Sequence, residues 1–243
     1  NGDGSLKAPV NYGSSDFATS VAVGDFNADG KIDLAVSSYG SGPGVVSVML
    51  GKGDGTFFSP VDYPTAVSPF SIVAGDFNGD SKLDLATANI QVDSVSILIG
   101  NGDGTFAAPV NYPTAGFPYE LSTGDINSDG KTDLVIAGNG GGLTVLKGDG
   151  DGTFQKSVNF LGGNAFAIVR DLNGDAKPDI ISGQTGTDVG VFINQTGPFN
   201  ISGIIKDNNN VPLSDVTVFL SGGLPVLFKT DATGTFAFND LTA

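Results

Sequence analysis

Asp25–Asp33 reads DFNADGKID, and the string returns three times in altered form: DFNGDSKLD at 76–84, DINSDGKTD at 125–133 and DLNGDAKPD at 171–179. Each copy lies between two apolar stretches. Oxygen-bearing side chains at positions one, three, five and nine of a tight turn suit a hard cation. Ca²⁺ takes six to eight oxygens at about 2.3–2.6 Å from carboxylates, amides and main-chain carbonyls. A single copy would say little, because Asx-turns use the same residues. Four copies with one internal spacing set the pattern apart from chance.

The strings also beat a period. Their first aspartates fall at 25, 76, 125 and 171, spacings of 51, 49 and 46 residues. A second marker keeps step: Gly-Asp-Gly at 2–4, 53–55, 102–104 and 150–152, followed by Thr-Phe in the last three. Asp-Gly between strand-like runs is a hairpin signal. The first unit reads as Ser20–Gly24, the Asp loop, Leu34–Tyr39, Val45–Leu50, the Gly-Asp-Gly turn and Phe57–Tyr63. Such short runs show no helical period.

Four strands per repeat at this period predict the blades of a β-propeller. A solenoid of β-arcs is the alternative, although its repeats are usually shorter. The expected fold is all-β: four four-stranded blades over 1–196, part of a larger propeller, then a small, incomplete β-sandwich over 197–243. The fourth unit offers Ala165–Val169, Asp179–Ser182 and Val189–Asn194 but no fourth strand, whereas Leu6–Tyr12 reads as a fourth strand without its other three. Either that segment closes the last blade and removes the edges, or the four units are an arc of a longer ring. A first residue in the middle of a repeat favours the arc.

The string Gly-Asp-Phe-Asn-x-Asp-Gly-Lys-x-Asp-Leu, then a strand and Gly-Asp-Gly-Thr-Phe, resembles FG-GAP-type repeats of the VCBS kind. Related repeats form the integrin alpha-subunit propeller. The resemblance covers about residues 1–196. It implies one Ca²⁺ per loop, held by side chains at positions one, three, five and nine and by the main-chain carbonyl at position seven. The ligands would be Asp25, Asn27, Asp29, Lys31 and Asp33 in the first loop, and Asp76, Asn78, Asp80, Lys82 and Asp84 in the second. The third would use Asp125, Asn127, Asp129, Lys131 and Asp133, and the fourth Asp171, Asn173, Asp175, Lys177 and Asp179.

Position six is Gly30 and Gly130 in two loops but Ser81 and Ala176 in the others. A positive φ there would strain a residue with a Cβ by roughly 1 kcal/mol, making sites two and four looser. Pro178 also lacks a backbone donor. An EF-hand is excluded: it needs a Glu at position twelve and flanking helices, and Val36, Thr87, Ile136 and Ser182 stand there. Phe26, Phe77, Ile126 and Leu172 at position two, with Leu34, Leu85, Leu134 and Ile180 at position ten, read as core residues.

The tail carries Ser202-Gly203-Ile204-Ile205-Lys206-Asp207, Pro212-Leu213, Val216-Thr217-Val218 and Thr230-Asp231-x-x-Gly234-x-Phe236. This is similar to the carboxypeptidase regulatory-like (transthyretin-like) sandwich over about 45 residues. The resemblance implies a spacer with no chemistry of its own.

Composition narrows the function classes. The net charge is −15, Arg170 is the single arginine and Glu120 the single glutamate. Twelve aspartates sit in the four strings, so four bound Ca²⁺ would bring the charge to about −7. So acidic a surface repels phosphate backbones and argues against a nucleic-acid partner. No apolar run is long enough to span a membrane as a helix. With no histidine and no cysteine, the commonest general base and nucleophiles are missing. The sequence thus predicts a non-catalytic, calcium-stabilised binding or adhesion module of a secreted or surface protein, with up to four structural Ca²⁺ and a protein or glycan ligand. The alternative is an accessory domain of a secreted polysaccharide- or lipid-degrading enzyme. The absence of tryptophan, the best stacker on sugars, leans towards a protein ligand or a plain stalk.

Overall fold

Each apolar–loop–apolar unit folds as an antiparallel meander. The computed structural model describes all residues except 1–5, 15, 41, 140–141, 161–163, 184–188, 195–198, 208, 221–225 and 242–243. The first sheet runs β1 (Phe17–Gly24), β2 (Asp33–Tyr39), β3 (Val45–Met49) and β4 (Val61–Pro64). The second is β5 (Pro69–Gly75), β6 (Asp84–Asn89), β7 (Ser94–Leu98) and β8 (Val110–Pro113). The third is β9 (Pro118–Gly124), β10 (Asp133–Gly138), β11 (Gly142–Leu146) and β12 (Val158–Phe160). The fourth has three strands, β13 (Asn164–Arg170), β14 (Asp179–Gly183) and β15 (Val189–Phe192). Within each sheet, spatial order follows chain order.

Two expectations are corrected. The first sheet's last strand begins at Val61, not Phe57; Phe57 makes only an isolated bridge to Gly51. Ser59-Pro60 interrupts the run, and proline has no N–H to give a ladder. Leu6–Tyr12 is not a strand, because no neighbouring strand lies alongside to supply hydrogen bonds. Among the described residues three of the sheets have four strands and the fourth has three, as the missing fourth strand of that unit's sequence leads one to expect.

Because alternate residues of a strand face opposite sides, each sheet offers one apolar face to the sheet before it and one to the sheet after it. Three cores result, one per junction. Ala22, Phe26, Ala35, Val46 and Val48 of the first sheet meet Ile72, Leu85 and Leu98 of the second. Phe77, Ala86, Val95 and Ile97 meet Leu121, Leu134 and Leu146. Val135, Leu143 and Val145 meet Ala167 and Ile180. The core residues expected at positions two and ten fall here, except Leu34, which is half-buried and outside the three clusters, and Leu172, which is exposed.

The first strands of the sheets lie side by side and are stitched by hydroxyl groups. Thr19 Oγ1 donates to Pro69 O (3.4 Å), Ser71 Oγ accepts from Leu121 N (3.2 Å), and Ser122 Oγ donates to Ala167 O (2.6 Å); from the neighbouring β2, Ser37 Oγ donates to Phe70 O (3.2 Å). A β-bulge falls at one repeat position, leaving Thr19, Phe70 and Tyr119 unpaired in β1, β5 and β9. Two of these bulged side chains, Phe70 and Tyr119, pack together with ring centroids 4.3 Å apart. Bulges re-aim side chains in this way.

The chain separates into two compact units, 1–194 and 195–243. The second consists of two strand pairs: β16 (Phe199–Ile204) with β19 (Thr235–Leu241), and β17 (Thr217–Leu220) with β18 (Val226–Lys229). Buried Thr230 ties it locally, its hydroxyl donating to Leu213 O (2.7 Å) and accepting from Val216 N (2.9 Å). Among the described residues no helix is long and apolar enough to cross a membrane.

If the junctions carry the stability, Phe77→Ala should cost about 3–5 kcal/mol in chemical denaturation. Phe58→Ala should cost less than about 1 kcal/mol, because that ring is exposed and its cation contact with Lys52 Nζ, at 4.9 Å, is a surface one.

Candidate metal centre

Every Asp string forms the turn between the first and second strands of its sheet, so the four loops occupy equivalent places. The position-nine aspartates, Asp33, Asp84, Asp133 and Asp179, are fully buried. One carboxylate oxygen of each accepts the N–H of position two: Phe26, Phe77 and Ile126 at 2.8 Å and Leu172 at 2.9 Å. The other accepts from the end of the third strand: Gly51 (2.7 Å), Gly100 (2.8 Å), Gly148 (2.9 Å) and Asn194 (2.7 Å). One side chain thereby ties the start of the loop to a strand two elements away. Burial raises the pKa of Asp84 and Asp133, opposed by these same backbone donors.

The glycines in this clamp are there for space. A Cβ on Gly51, Gly100 or Gly148 would sit 2.1, 2.2 or 2.3 Å from the carbonyl oxygen of Ile32, Leu83 or Thr132. Asn194 replaces glycine in the fourth sheet and instead donates its Nδ2 to Pro178 O (3.0 Å) and Ile126 O (2.6 Å). Despite Pro178, the fourth loop keeps both clamp bonds.

The remaining aspartates form the rim, exposed at position five and, in the first three loops, half-buried at position one. At position one, Asp25, Asp76, Asp125 and Asp171 accept the N–H of position six at 2.8, 2.8, 2.8 and 3.0 Å. At position five, Asp29, Asp80, Asp129 and Asp175 accept from the lysine N–H of position seven at 2.9–3.0 Å. Asn27, Asn78, Asn127 and Asn173 accept from the N–H of position five at 3.0–3.1 Å. Lys31 Nζ lies 2.9 Å from Asp29 and holds its pKa low, while the Lys82 N–H does the same for Asp80. The lysine stems also cover the glycine turn of their own sheet, Lys31 over Gly53, Lys82 over Gly102 and Lys131 over Gly150.

The structure thus gathers each predicted five-residue set in one loop and gives its members two jobs. Position nine is a buried clamp, and positions one, three and five order the turn's own N–H groups. Among the described residues no three acidic side chains converge into a ready-made cage. The donor set still suits a hard cation, since a carboxylate oxygen that accepts one N–H keeps a second lone pair.

Sequence reasoning placed the strain at position six alone. Ser81 and Ala176 do have φ of +65°, beside +78° and +81° for Gly30 and Gly130. Position four is left-handed as well, however: Ala28 (+57°) and Ser128 (+59°) in loops one and three, Gly79 (+74°) and Gly174 (+80°) in loops two and four. Each loop has one glycine and one strained residue across the two positions. The expected weakness of loops two and four is therefore shared by all four.

The glycine turns add a link between sheets. Gly104 N donates to Phe26 O (2.9 Å) and Gly152 N to Phe77 O (3.0 Å), so each turn rests on the Asp loop of the preceding sheet. The copy at 2–4 lies outside the described residues. On the 1–194 unit an open cleft of about 820 Å³ is lined by Pro43, Thr65, Val92, Asp93, Asn111 and Tyr112 among others. Its one carboxylate, Asp93, accepts from Phe117 N at 2.7 Å.

Residues 25–87, 76–136 and 125–170 match the model of the FG-GAP-like repeat, together more than half of the chain. No curated protein matches it. Two solved structures are similar. A Lactobacillus plantarum protein is 11% identical with a TM-score of 0.45, over 94% of this chain and 73% of its own. The V. cholerae biofilm matrix protein Bap1 is 16% identical with a TM-score of 0.41, over 93% of this chain and 40% of its own.

Asp133→Ala should destabilise the metal-free protein by about 3 kcal/mol, because two buried N–H groups lose their acceptor. Asp129→Ala, on the rim, should cost well under half as much in the same urea titration. Ala28→Gly and Ser81→Gly should each stabilise by roughly 1 kcal/mol by relieving a left-handed Cβ residue.

Proposed function

This chain belongs to the FG-GAP-like repeat family, and on that footing we propose that it is a calcium-stabilised, non-catalytic binding module of a longer secreted or surface protein. The observation that carries the reading is the rim of each loop. Two carboxylates and an asparagine oxygen are held on an ordered turn, and one lysine is the loop's own counter-charge. The ligands would be the side chains at positions one, three, five and nine and the main-chain carbonyl at position seven, up to four structural Ca²⁺ in all. Bound there, the ion neutralises carboxylates that otherwise repel one another and makes the turn rigid.

Extracellular placement follows from the same chemistry, because weak oxygen sites fill only where free Ca²⁺ is near millimolar. The acidic surface supports a protein or glycan ligand over nucleic acid. Residues 195–243 we assign as a spacer of the carboxypeptidase regulatory-like type, on the motifs around Ser202–Asp207 and Thr230–Gly234.

Calcium should raise the melting temperature and EGTA should lower it reversibly. At free Ca²⁺ about tenfold above Kd each site adds roughly 1.4 kcal/mol. Titration calorimetry should count up to four ions per chain, and a loop with both rim aspartates changed to asparagine should lose its own. A melt indifferent to EGTA and Ca²⁺ would remove the metal from this account.

A further inference from the structure

The Gly-Asp-Gly turns of the second and third sheets are each wedged between two Asp loops. In the turn after β7, Gly100 N donates to Asp84 Oδ1 (2.8 Å), position nine of the loop in its own sheet. Four residues on, Gly104 N donates to Phe26 O (2.9 Å), position two of the loop before. The turn after β11 repeats this: Gly148 N reaches Asp133 Oδ1 (2.9 Å) and Gly152 N reaches Phe77 O (3.0 Å). In the fourth sheet a single residue joins the same two points. Asn194 N donates to Asp179 Oδ1 (2.7 Å), and its Nδ2 donates to Ile126 O (2.6 Å). Two unrelated sequences thus make one connection, from position nine of a loop to position two of the loop before it.

These contacts fall on the groups proposed to hold the ion. Position two lies between positions one and three, and the turns press on position three as well. A Cβ on Gly104 would stand 3.5 Å from Asn27 Cβ, and one on Gly152 would stand 3.5 Å from Asn78 Cβ. On the other side the stems of Lys82 and Lys131, at position seven, lie against Gly102 and Gly150. Both turns are closed by a bond of their own, Asn101 N to Thr105 O and Asp149 N to Thr153 O, each 2.9 Å. Gly104 and Gly152 hold φ of +83° and +86°, which glycine adopts without strain. Phe106 sits edge-on between Phe26 (5.8 Å) and Tyr63 (5.3 Å), and Phe154 between Phe77 (5.7 Å) and Tyr112 (5.5 Å). A turn so bonded and packed has little slack with which to absorb a shift, and passes it on.

We propose that the four loops take up Ca²⁺ as coupled neighbours and not as independent sites, with Gly104, Gly152 and Asn194 as the positioning residues between them. The proposal rests on the calcium reading of the loops. The clamp bonds exist without an ion; what an ion changes is how far the rim, and position two with it, can move about them. Ordering positions one to three of a loop steadies the carbonyl at position two. That carbonyl seats the next sheet's turn, and the seated turn restricts positions seven and nine of the next loop. Less conformational entropy then remains to be lost when that loop is filled. The effect is reciprocal, as coupling between binding sites must be. It runs from neighbour to neighbour, because each link joins one loop to the loop before it.

Residue-resolved amide exchange across a Ca²⁺ titration of the full chain tests this. The position-six N–H groups of Gly30, Ser81, Gly130 and Ala176, each bonded to position one, report the four loops separately. One variant removes the rim of loop two, Asp76→Asn with Asp80→Asn, and another that of loop four, Asp171→Asn with Asp175→Asn. Circular dichroism melts without Ca²⁺ check that both fold as the parent does. Without loop two, the midpoints at Gly30 and Gly130 should rise about fivefold or more, and that at Ala176, two links away, much less. Without loop four, Gly130 should shift and Gly30 should stay. Lost charge alone also weakens neighbours, so the deciding arm is Asn194→Ala, which changes no charge. In that background the loop-four variant should no longer move Gly130; Asn194→Gly, the residue of the other sheets, is a second form of the same arm. Unmoved midpoints at Gly30 and Gly130 in the loop-two variant overturn the coupling and leave the metal reading standing, as does a shift at Gly130 that survives both changes at Asn194. Protection that ignores Ca²⁺ in all four loops removes the metal reading and the coupling together.

Discussion

A buried carboxylate that accepts two backbone N–H bonds is the constraint on which each sheet depends. Removing an ionised group from water is costly unless its oxygens are satisfied. The position-nine aspartate meets that condition with one bond to the start of its own loop and one to the end of the third strand. The backbone must therefore bring those two points within reach of one side chain. That fixes where the loop turns, and the close approach it forces explains why glycine stands two residues past the third strand three times out of four.

The rest of the unit is arranged around this clamp. Because the turn's path is set, position two points its apolar side chain into the junction with the following sheet, where Phe26 and Phe77 are buried. Its carbonyl meanwhile receives the glycine turn of the next sheet. The rim aspartates are left to solvent with their N–H bonds already made. In the proposed function a cation then stiffens an existing turn, and it is not asked to fold the loop from nothing.

Much of this was legible in the sequence. The recurring Asp strings located the hairpins, and the period near fifty set the number of sheets. What escaped was mostly three-dimensional. The division of labour between position nine and the rim is invisible in a string where all three aspartates look alike. The strain at position four is hidden in the sequence because glycine alternates between positions four and six, so that neither position shows a constant glycine. Leu6–Tyr12 has the composition of a strand, but a strand exists only beside a partner, and composition does not say where that partner lies. Leu172 reads as a core residue by its place in the repeat, yet its side chain is exposed.

Amide hydrogen exchange, resolved by residue and followed with and without Ca²⁺, tests the central claim most directly. The N–H groups of Phe26, Phe77, Gly51 and Gly100 should exchange slowly in both conditions, because the buried clamp holds them whether or not an ion is bound. Those of Gly30 and Ser81 on the rim should exchange quickly without Ca²⁺ and slowly with it. Fast exchange at Phe26 and Gly51 in the absence of Ca²⁺ would contradict the account, since the clamp would then be a product of the metal and not its foundation.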